Sequence, residues 1–380
     1  MSLSDSDLKL LASIKKNIDS IESLLPDRAV ITVGQYTLDA LESPGIDEEG
    51  LTDIIRVHHK KDLEHKTVYI DPESDVEIDT LYEPHYWFDL LEHVDAEAFD
   101  DMLGKRVYDY HDEILTLVNL SEGSSSGLYP LLHRFLAKRE KNVLGVAIVP
   151  SMSHSSDALF NSFASLGMVS IDGSTPLLLI NQGKLEDYVG VHRAGEILKE
   201  LDVVDYLVEL LLDKRGFIRD LYKLSRNFDI GMFSVLMATG CSLGIYESFR
   251  NILEVTLEQP LMEFDISTAT MIYVLVRAPL YYRDEFTKGQ IEYEVSQWLA
   301  ESLGVDIPQI CESVFVDEFG DRVDVVILVG GFDTKKMFRD IYRRIERFSN
   351  MNLEQGLYDR ELWDEIKKKL LGELDYLPGP

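Results

Sequence analysis

The sequence predicts an α/β fold: a mostly parallel sheet with helices on both faces, a long central helix, and a smaller α+β unit at the C-terminal end. Three observations carry this. Up to Asn181, short apolar runs bounded by turn residues alternate with helix-length amphipathic stretches, the pattern of parallel β-α-β units whose sheet is covered on both sides. Ile197 to Leu224 then keeps a helical apolar period, interrupted only by Gly216. Beyond it, β-branched runs at Met271 to Val276, Ser313 to Val316 and Val323 to Val329 flank a helical stretch from Tyr293 to Leu303.

Taken in order, Leu8 to Leu25 has apolar residues at helical spacing and is closed by Pro26, so it reads as an amphipathic helix laid on the body or on a partner. Ala29 to Val33 is a first strand. Pro44-Gly45 marks a turn, after which a helix is expected from Glu48 to about Lys61, then a strand from Thr67 to Ile70. Ile114 to Arg134 reads as strand, small-residue loop and apolar helix start. Asn142 to Val149 is another apolar strand, and Asp157 to Met168 an amphipathic stretch ending at Gly167. Thr175 to Leu185 is a strand and turn, and Leu353 to Leu374 a charged helical tail. The implied division is an N-terminal helix (1–28), a nucleotide-binding-like domain (29–196), a central helix (197–226), a C-terminal domain (227–349) and a charged helical tail (350–380). There is no internal repeat and no low-complexity segment.

Length and composition suit this organisation, since 380 residues with 45% hydrophobic content can bury at least one substantial core. No run approaches the length of uncharged apolar sequence that spans a membrane, and the start M-S-L-S-D-S-D lacks the features of a signal peptide, so a cytoplasmic protein is expected. Cys241 and Cys311 are too few and too far apart for a metal cluster or disulfide framework; each reads as a small buried apolar residue. A formal charge of −31, from 68 acidic and 37 basic residues, argues against a general nucleic-acid binder and against anionic membrane surfaces. The stretch from Asp71 to Asp112 is the most acidic, and reads as a solvated face.

The loop Gly123-Ser124-Ser125-Ser126-Gly127 lies where backbone N–H groups and a helix N-terminus can converge on an anion. It is neither a Walker A loop nor G-x-G-x-x-G. It resembles a worn copy of the G-G-G-T-G-T/S-G signature of the tubulin and FtsZ superfamily. Four later segments resemble that family in the same order. T-P-L-L-L-I-N-Q-G-K-L from Thr175 is similar to its strand and N-D-K/R-L turn. R-N-F-D-I-G-M-F-S-V-L-M-A-T-G from Arg226 is similar to N-x-D-F-A-D-x-x-x-V-M-x-x-x-G, and E-Q-P-L-M-E-F-D-I-S-T-A-T-M-I-Y-V-L-V-R from Glu258 to S-P-L-L-x-x-x-I-x-G-A-x-x-x-L-V-x-I. D-R-V-D-V-V-I-L-V-G-G-F-D from Asp321 resembles its last strand. The chain is identified as a divergent member of the tubulin/FtsZ superfamily, FtsZ-like or CetZ-like, which implies a Rossmann-like parallel sheet.

The resemblance further implies two half-sites, one subunit holding GTP or GDP with Mg²⁺ and the next in a filament supplying carboxylates that position water. Mapped here, Gly123, Ser124, Ser125, Ser126 and Gly127 form the phosphate loop, in which Glu122 brings like charge to a phosphate and Ser125 replaces a glycine. Val33-Gly34-Gln35-Tyr36-Thr37 replaces the first glycine-rich loop, and the bulky run Tyr82-Glu83-Pro84-His85-Tyr86-Trp87 another. Asp71 resembles the acidic loop near magnesium, although an Asp opening a turn before Pro72 explains it equally. Asn181 and Lys184 match the turn near the base, and Asp205, with Asp202 competing, the guanine-reading position; turns and helix starts use the same residues. Asn227 and Asp229 match the catalytic N-x-D, but Met232 stands where a second Asp belongs and cannot orient water. A helix N-cap ahead of G-M-F-S-V-L-M explains N-F-D as well.

Elsewhere, His58, His59 and His65 lack a dependable metal spacing and read as a solvated face, and Ser151 to Ser156 around His154 as a loop and N-cap. The expected function is a cytoskeletal or division-associated protein with a degenerate GTP site and weak or absent hydrolysis. It would act through longitudinal self-association or a filament-forming FtsZ/tubulin-type relative. The alternatives are an active GTP-hydrolysing polymer-former and an α/β enzyme of another kind.

Overall fold

A computed structural model of the chain describes residues 26–41, 52–59, 75–78, 84–91, 94–173, 175–192, 195–317 and 320–372. The expected helix at Leu8 to Leu25, the strand at Thr67 to Ile70, Asp71 and His65 lie outside the described residues. Along the described chain the elements run β1 (Arg28–Val33), α1 (Gln35–Ala40), β2 (Thr52–His59), β3 (Asp75–Ile78), α2 (Trp87–Leu91), α3 (Ala96–Gly104), β4 (Glu113–Asn119), α4 (Gly123–Lys138), β5 (Asn142–Val149) and α5 (Ser156–Asp172). They continue through β6 (Leu177–Asn181), α6 (Gln182–Asp187), β7 (Gly190–Val191), β8 (Ile197–Leu198), α7 (Glu200–Asp213), α8 (Phe217–Phe228), β9 (Met232–Ser242), α9 (Leu243–Tyr246) and α10 (Phe249–Glu258). The last part is β10 (Met271–Pro279), α11 (Lys288–Trp298), β11 (Gln309–Val316), β12 (Arg322–Gly330), α12 (Lys335–Glu354) and α13 (Arg360–Leu371).

The β-branched runs pair into one sheet of ten strands, ordered β11-β10-β12-β9-β6-β5-β4-β1-β2-β3. From β6 to β3 every pairing is parallel, as the alternation of strands and helices predicts. The C-terminal strands join through antiparallel β9–β12 and β12–β10 ladders, with β11 parallel at the edge. The two halves are one sheet, because Leu177, Leu178 and Leu179 of β6 pair in parallel with Met232, Phe233 and Ser234 of β9. Helices cover both faces: α4, α5, α12 and α13 pack over one side of the N-terminal half, α10 and α11 over the same side of the C-terminal half, and α7 and α8 over the other side.

Several elements depart from the sequence reading. Thr52 to His59, expected as helix, is a strand, since Ile55 and Val57, two residues apart, face the core together while β1 takes the backbone bonds. His58 is therefore buried rather than on a solvated face. The central helix is two helices, α7 and α8, separated at Gly216, whose φ of 80° is left-handed. Gly167 does not end its helix; α5 runs on to Asp172, and a Cβ at Gly167 would lie 2.5 Å from Ile366, so glycine lets α13 approach. Within the charged tail the helix is α13, which packs beside α12 with Trp363 and Ile366 buried against α5.

At the junction of α7 with the C-terminal strands, Arg277 of β10 is 2% exposed and binds Glu209 at 2.8 Å, Asp213 at 2.7 Å and Asp324 at 3.0 Å. Tyr206 closes the cluster, bonded to Arg277 and donating to Asp324 at 2.9 Å. Burial opposes the Arg277 charge, but the surrounding carboxylates hold its pKa above the ordinary value.

A second buried titratable group sits on α4. His133 is 2% exposed, and neither ring nitrogen has a hydrogen-bond partner among the described residues. Burial pushes its pKa down to about 4. Between the ordinary histidine value and that one, the unfolded chain binds a proton that the fold refuses, so stability falls as pH drops from about 6.5 to about 4, by roughly 3 kcal/mol in all. Urea titrations at a series of pH values should show this slope, and His133→Leu should flatten it; an unchanged slope would assign it to other groups.

Candidate functional site

The parallel strands bring their C-terminal ends to one edge, where the turns after β1, β4 and β5 enclose a cleft of about 320 Å³. Its walls include Gln35, His85, Glu122, Gly123, Ser124, Asp157 and Asn161. The expected phosphate loop is not a loop: Gly123 to Gly127 is the first turn of α4, with Glu122 at the N-cap position and making no side-chain cap. Ser125 donates its hydroxyl to Asn119 O at 2.5 Å and Ser126 to Leu120 O at 2.8 Å, so both tie the helix to β4. Ser124 is the serine of the three that lines the cleft. The first N–H groups of a helix have no acceptor within it, and those of α4 open onto this space.

The strap from Pro84 to Phe88 closes the cleft, though not with its aromatic rings. Trp87 is 1% exposed, and Tyr86, Trp87 and Phe88 turn inward onto Phe160 and Tyr358. What meets the helix end is main chain: a Cβ on Gly123 would lie 2.4 Å from His85 C and O. Asn161, in the second turn of α5, holds the strap there by accepting Trp87 N–H at 3.0 Å and donating to His85 O at 3.1 Å. Gly34, at a φ of 87°, lets β1 pass close to Glu122 and Ser125. His85 Nε2 stands 3.4 Å from Asp157, and no Lys or Arg lines the cleft among the described residues.

Near the far side of β1, Tyr36 donates to Glu200 at 2.5 Å, at the start of α7. Burial first, and then the Glu200, Glu186 and Glu122 carboxylates, push the phenol well above its ordinary range. Asp202 accepts Lys199 N–H at 3.1 Å, and Asp205 is half-buried further along α7. Asn181 caps α6 by accepting Lys184 N–H at 3.3 Å, and Lys184 Nζ pairs with Glu263 at 2.8 Å. None of Asn181, Lys184 or Asp205 lines the cleft.

Asn227 and Asp229 are exposed at the end of α8, with Asp229 in a left-handed conformation at φ 54°. The apolar run after them is strand β9, so the alternative of a helix N-cap does not hold. Met232 is the first residue of that strand and packs half-buried against the core. Since β9 runs parallel to β6, Asp229 stands at the opposite end of the strands from the cleft, about 20 Å away for strands of this length. Asp229 lines a separate depression of about 420 Å³ with Thr175, Met232 and Lys369.

Neither a family model nor a curated protein matches the chain. Solved structures do. A CetZ from Methanosaeta thermophila strain DSM 6194 superposes with a TM-score of 0.64 at 16% identity, over 90% of this chain and 98% of that one. CetZ2 from Haloferax volcanii, as a GTPγS-bound protofilament, gives 0.61 at 17%, over 86% and 99%. An empty FtsZ dimer from M. jannaschii gives 0.55 at 13%, over 87% and 93%. The chain has the tubulin/FtsZ fold. Within that fold, sequence reasoning missed Asn161 and Glu200. The one readable signal was an Asn placed in an otherwise apolar helical run, F-N-S-F-A-S-L.

Proposed function

We propose that this tubulin/FtsZ-fold chain is a cytoskeletal protein of the cell-division kind, working by association of copies or with a filament-forming relative, with a nucleotide site too weak for efficient turnover. One observation carries the reading. The cleft where GTP or GDP would sit offers the α4 N-terminus and Ser124, but it is faced by Glu122 and Asp157, has His85 main chain against Gly123, and is lined by no Lys or Arg among the described residues. Helix N–H groups favour an anion, while two carboxylates in the same space oppose it. A bound Mg²⁺ would supply the missing positive charge, with Glu122 and Asp157 as the nearest acids. The residues that would hold a nucleotide here are Gly123, Ser124 and the N–H groups beside them.

Hydrolysis has weak support in this chain. Of the catalytic pattern Asp229 is the acid that remains, and the thioether of Met232 takes no part in proton transfer. The opposite placement of cleft and Asp229 suits stacking of copies end to end, as CetZ2 does in its protofilament. Two buried free thiols, Cys241 and Cys311, fit a cytoplasmic setting. The reading of an active polymer-forming GTPase is favoured by the accessible helix end alone.

Titration of GTP and GTPγS into purified protein, with and without Mg²⁺, tests this together with sedimentation over a concentration and salt series. The expected result is Mg²⁺-dependent, weak binding, no phosphate release above the protein-free rate, and association that grows with protein concentration and with screening of like charges. Robust, concentration-dependent phosphate release would overturn the weakened site, and a strictly monomeric protein that ignores an FtsZ-type partner would overturn association.

A further inference from the structure

The net charge of −31 conceals a basic stripe. Between Lys335 and Arg347 stand six basic residues and two acids, on a helix whose other face is buried against α5. Lys336, Arg339, Arg343 and Arg347 recur at helical spacing and are exposed. The stripe continues one turn further into Met351, an apolar side chain left 49% exposed.

A surface of opposite character lies on the C-terminal half. Between α9, α10 and α11 a groove of about 260 Å³ has an apolar floor of Phe249, Phe286 and Ile291 and a rim of Glu247, Glu285 and Glu294. Arg250, at the start of α10, is engaged by Glu301 at 2.7 Å. The groove and α12 stand on the same side of the sheet: Leu177 and Leu179 face the cluster under α12 and α13, and their partners Met232 and Ser234 continue in step to Leu236 and Ala238 under α10.

We propose that the basic stripe of α12 docks into this acidic groove on a second copy of the chain, with Met351 against the apolar floor. Charge complementarity selects the occupant, since a convex Arg-rich helix face meets a concave carboxylate-rimmed groove in the same molecule. Because both surfaces lie on one side of the sheet, two copies facing each other make both contacts at once, a two-fold arrangement that closes on itself. Arginine suits the role, as its planar fork pairs with carboxylates. The contact is independent of the nucleotide cleft and of end-to-end stacking.

Charge exchange tests it in nucleotide-free protein by sedimentation velocity. Arg343→Glu with Arg347→Glu, and separately Glu247→Lys with Glu285→Lys, should each weaken dimerisation at least tenfold, circular dichroism confirming the fold. An equimolar mixture of the two variants should restore the dimer, since each stripe then meets an oppositely charged groove. Rescue excludes a merely structural role. A wild-type protein that never dimerises through this side, or variants that dimerise unchanged, overturn the proposal. So does loss without rescue, and in that case binding of wild type to phosphatidylserine vesicles or duplex DNA, lost in the arginine variant, would reassign the stripe to a polyanion. Loss of end-to-end stacking with an intact two-fold dimer would overturn the proposed function and leave this contact standing.

Discussion

Arg277→Leu is expected to destabilise the fold by about 3–5 kcal/mol, because it removes the cation from a buried site and leaves Glu209, Asp213 and Asp324 facing one another. The three carboxylates come from α7 and β12, and their mutual repulsion would push α7 away from the strands it covers. Urea unfolding measures the loss. Arg277→Lys should recover only part, since one ammonium cannot reproduce the fork that reaches Asp324 and Glu209 together. Adding Asp324→Asn and Glu209→Gln to the leucine variant should restore more, by lifting the repulsion. A loss below about 1 kcal/mol for Arg277→Leu would mean that the cluster is hydrated and contributes as a surface pair does.

Trp87→Ala is expected to cost a similar amount, about 3–5 kcal/mol, and to open the cleft. The indole is wedged among Phe88, Phe160 and Tyr358, with ring centroids 5.5 to 6.2 Å apart, and anchors the strap whose main chain abuts Gly123. Without it, the strap keeps the Asn161 hydrogen bonds and the smaller Tyr86 and Phe88 contacts but loses its largest anchor. Proteolysis and amide exchange should then increase at residues 84–88, and the α4 N-terminus should bind inorganic phosphate or GTP more tightly than in wild type. A destabilised variant whose strap exchanges no faster would show that the hydrogen bonds of Asn161, not the aromatic packing, keep the cleft closed.

The fold was legible where burial imposes a period. The apolar runs at Ile114, Asn142 and Leu177, and the later ones at Met271 and Val323, all became strands because each is buried on both faces and leaves no ambiguity of pattern. Thr52 to His59 was harder: Asp53, Arg56 and His58 dilute its alternation, and only the pairing with β1 and β3 makes a strand of it. The cleft was legible as a place but not as an arrangement. Gly123 marks a close approach, yet the sequence does not say that the approaching group is the backbone of His85, 38 positions earlier in the chain. Nor does it say that the aromatic residues beside His85 turn away from the cleft, since ring direction is set by Phe160 on α5 and Tyr358 in the turn between α12 and α13. Asn161 and Glu200 act through partners far off in sequence, Trp87 and Tyr36, which no local pattern announces.

The seam between β6 and β9 has a mechanical consequence. Three residue pairs, Leu177 to Leu179 against Met232 to Ser234, carry backbone hydrogen bonds across the middle of the sheet. A hinge at that line would have to break them and expose leucine side chains buried on both sides. The two halves are thereby welded into a plate, and their central amides should exchange together, at the rate of global unfolding, rather than as two independent units. Strain applied at the cleft edge would reach the Asp229 edge through a stiff body, as tilt of the whole subunit, with no internal rotation to absorb it.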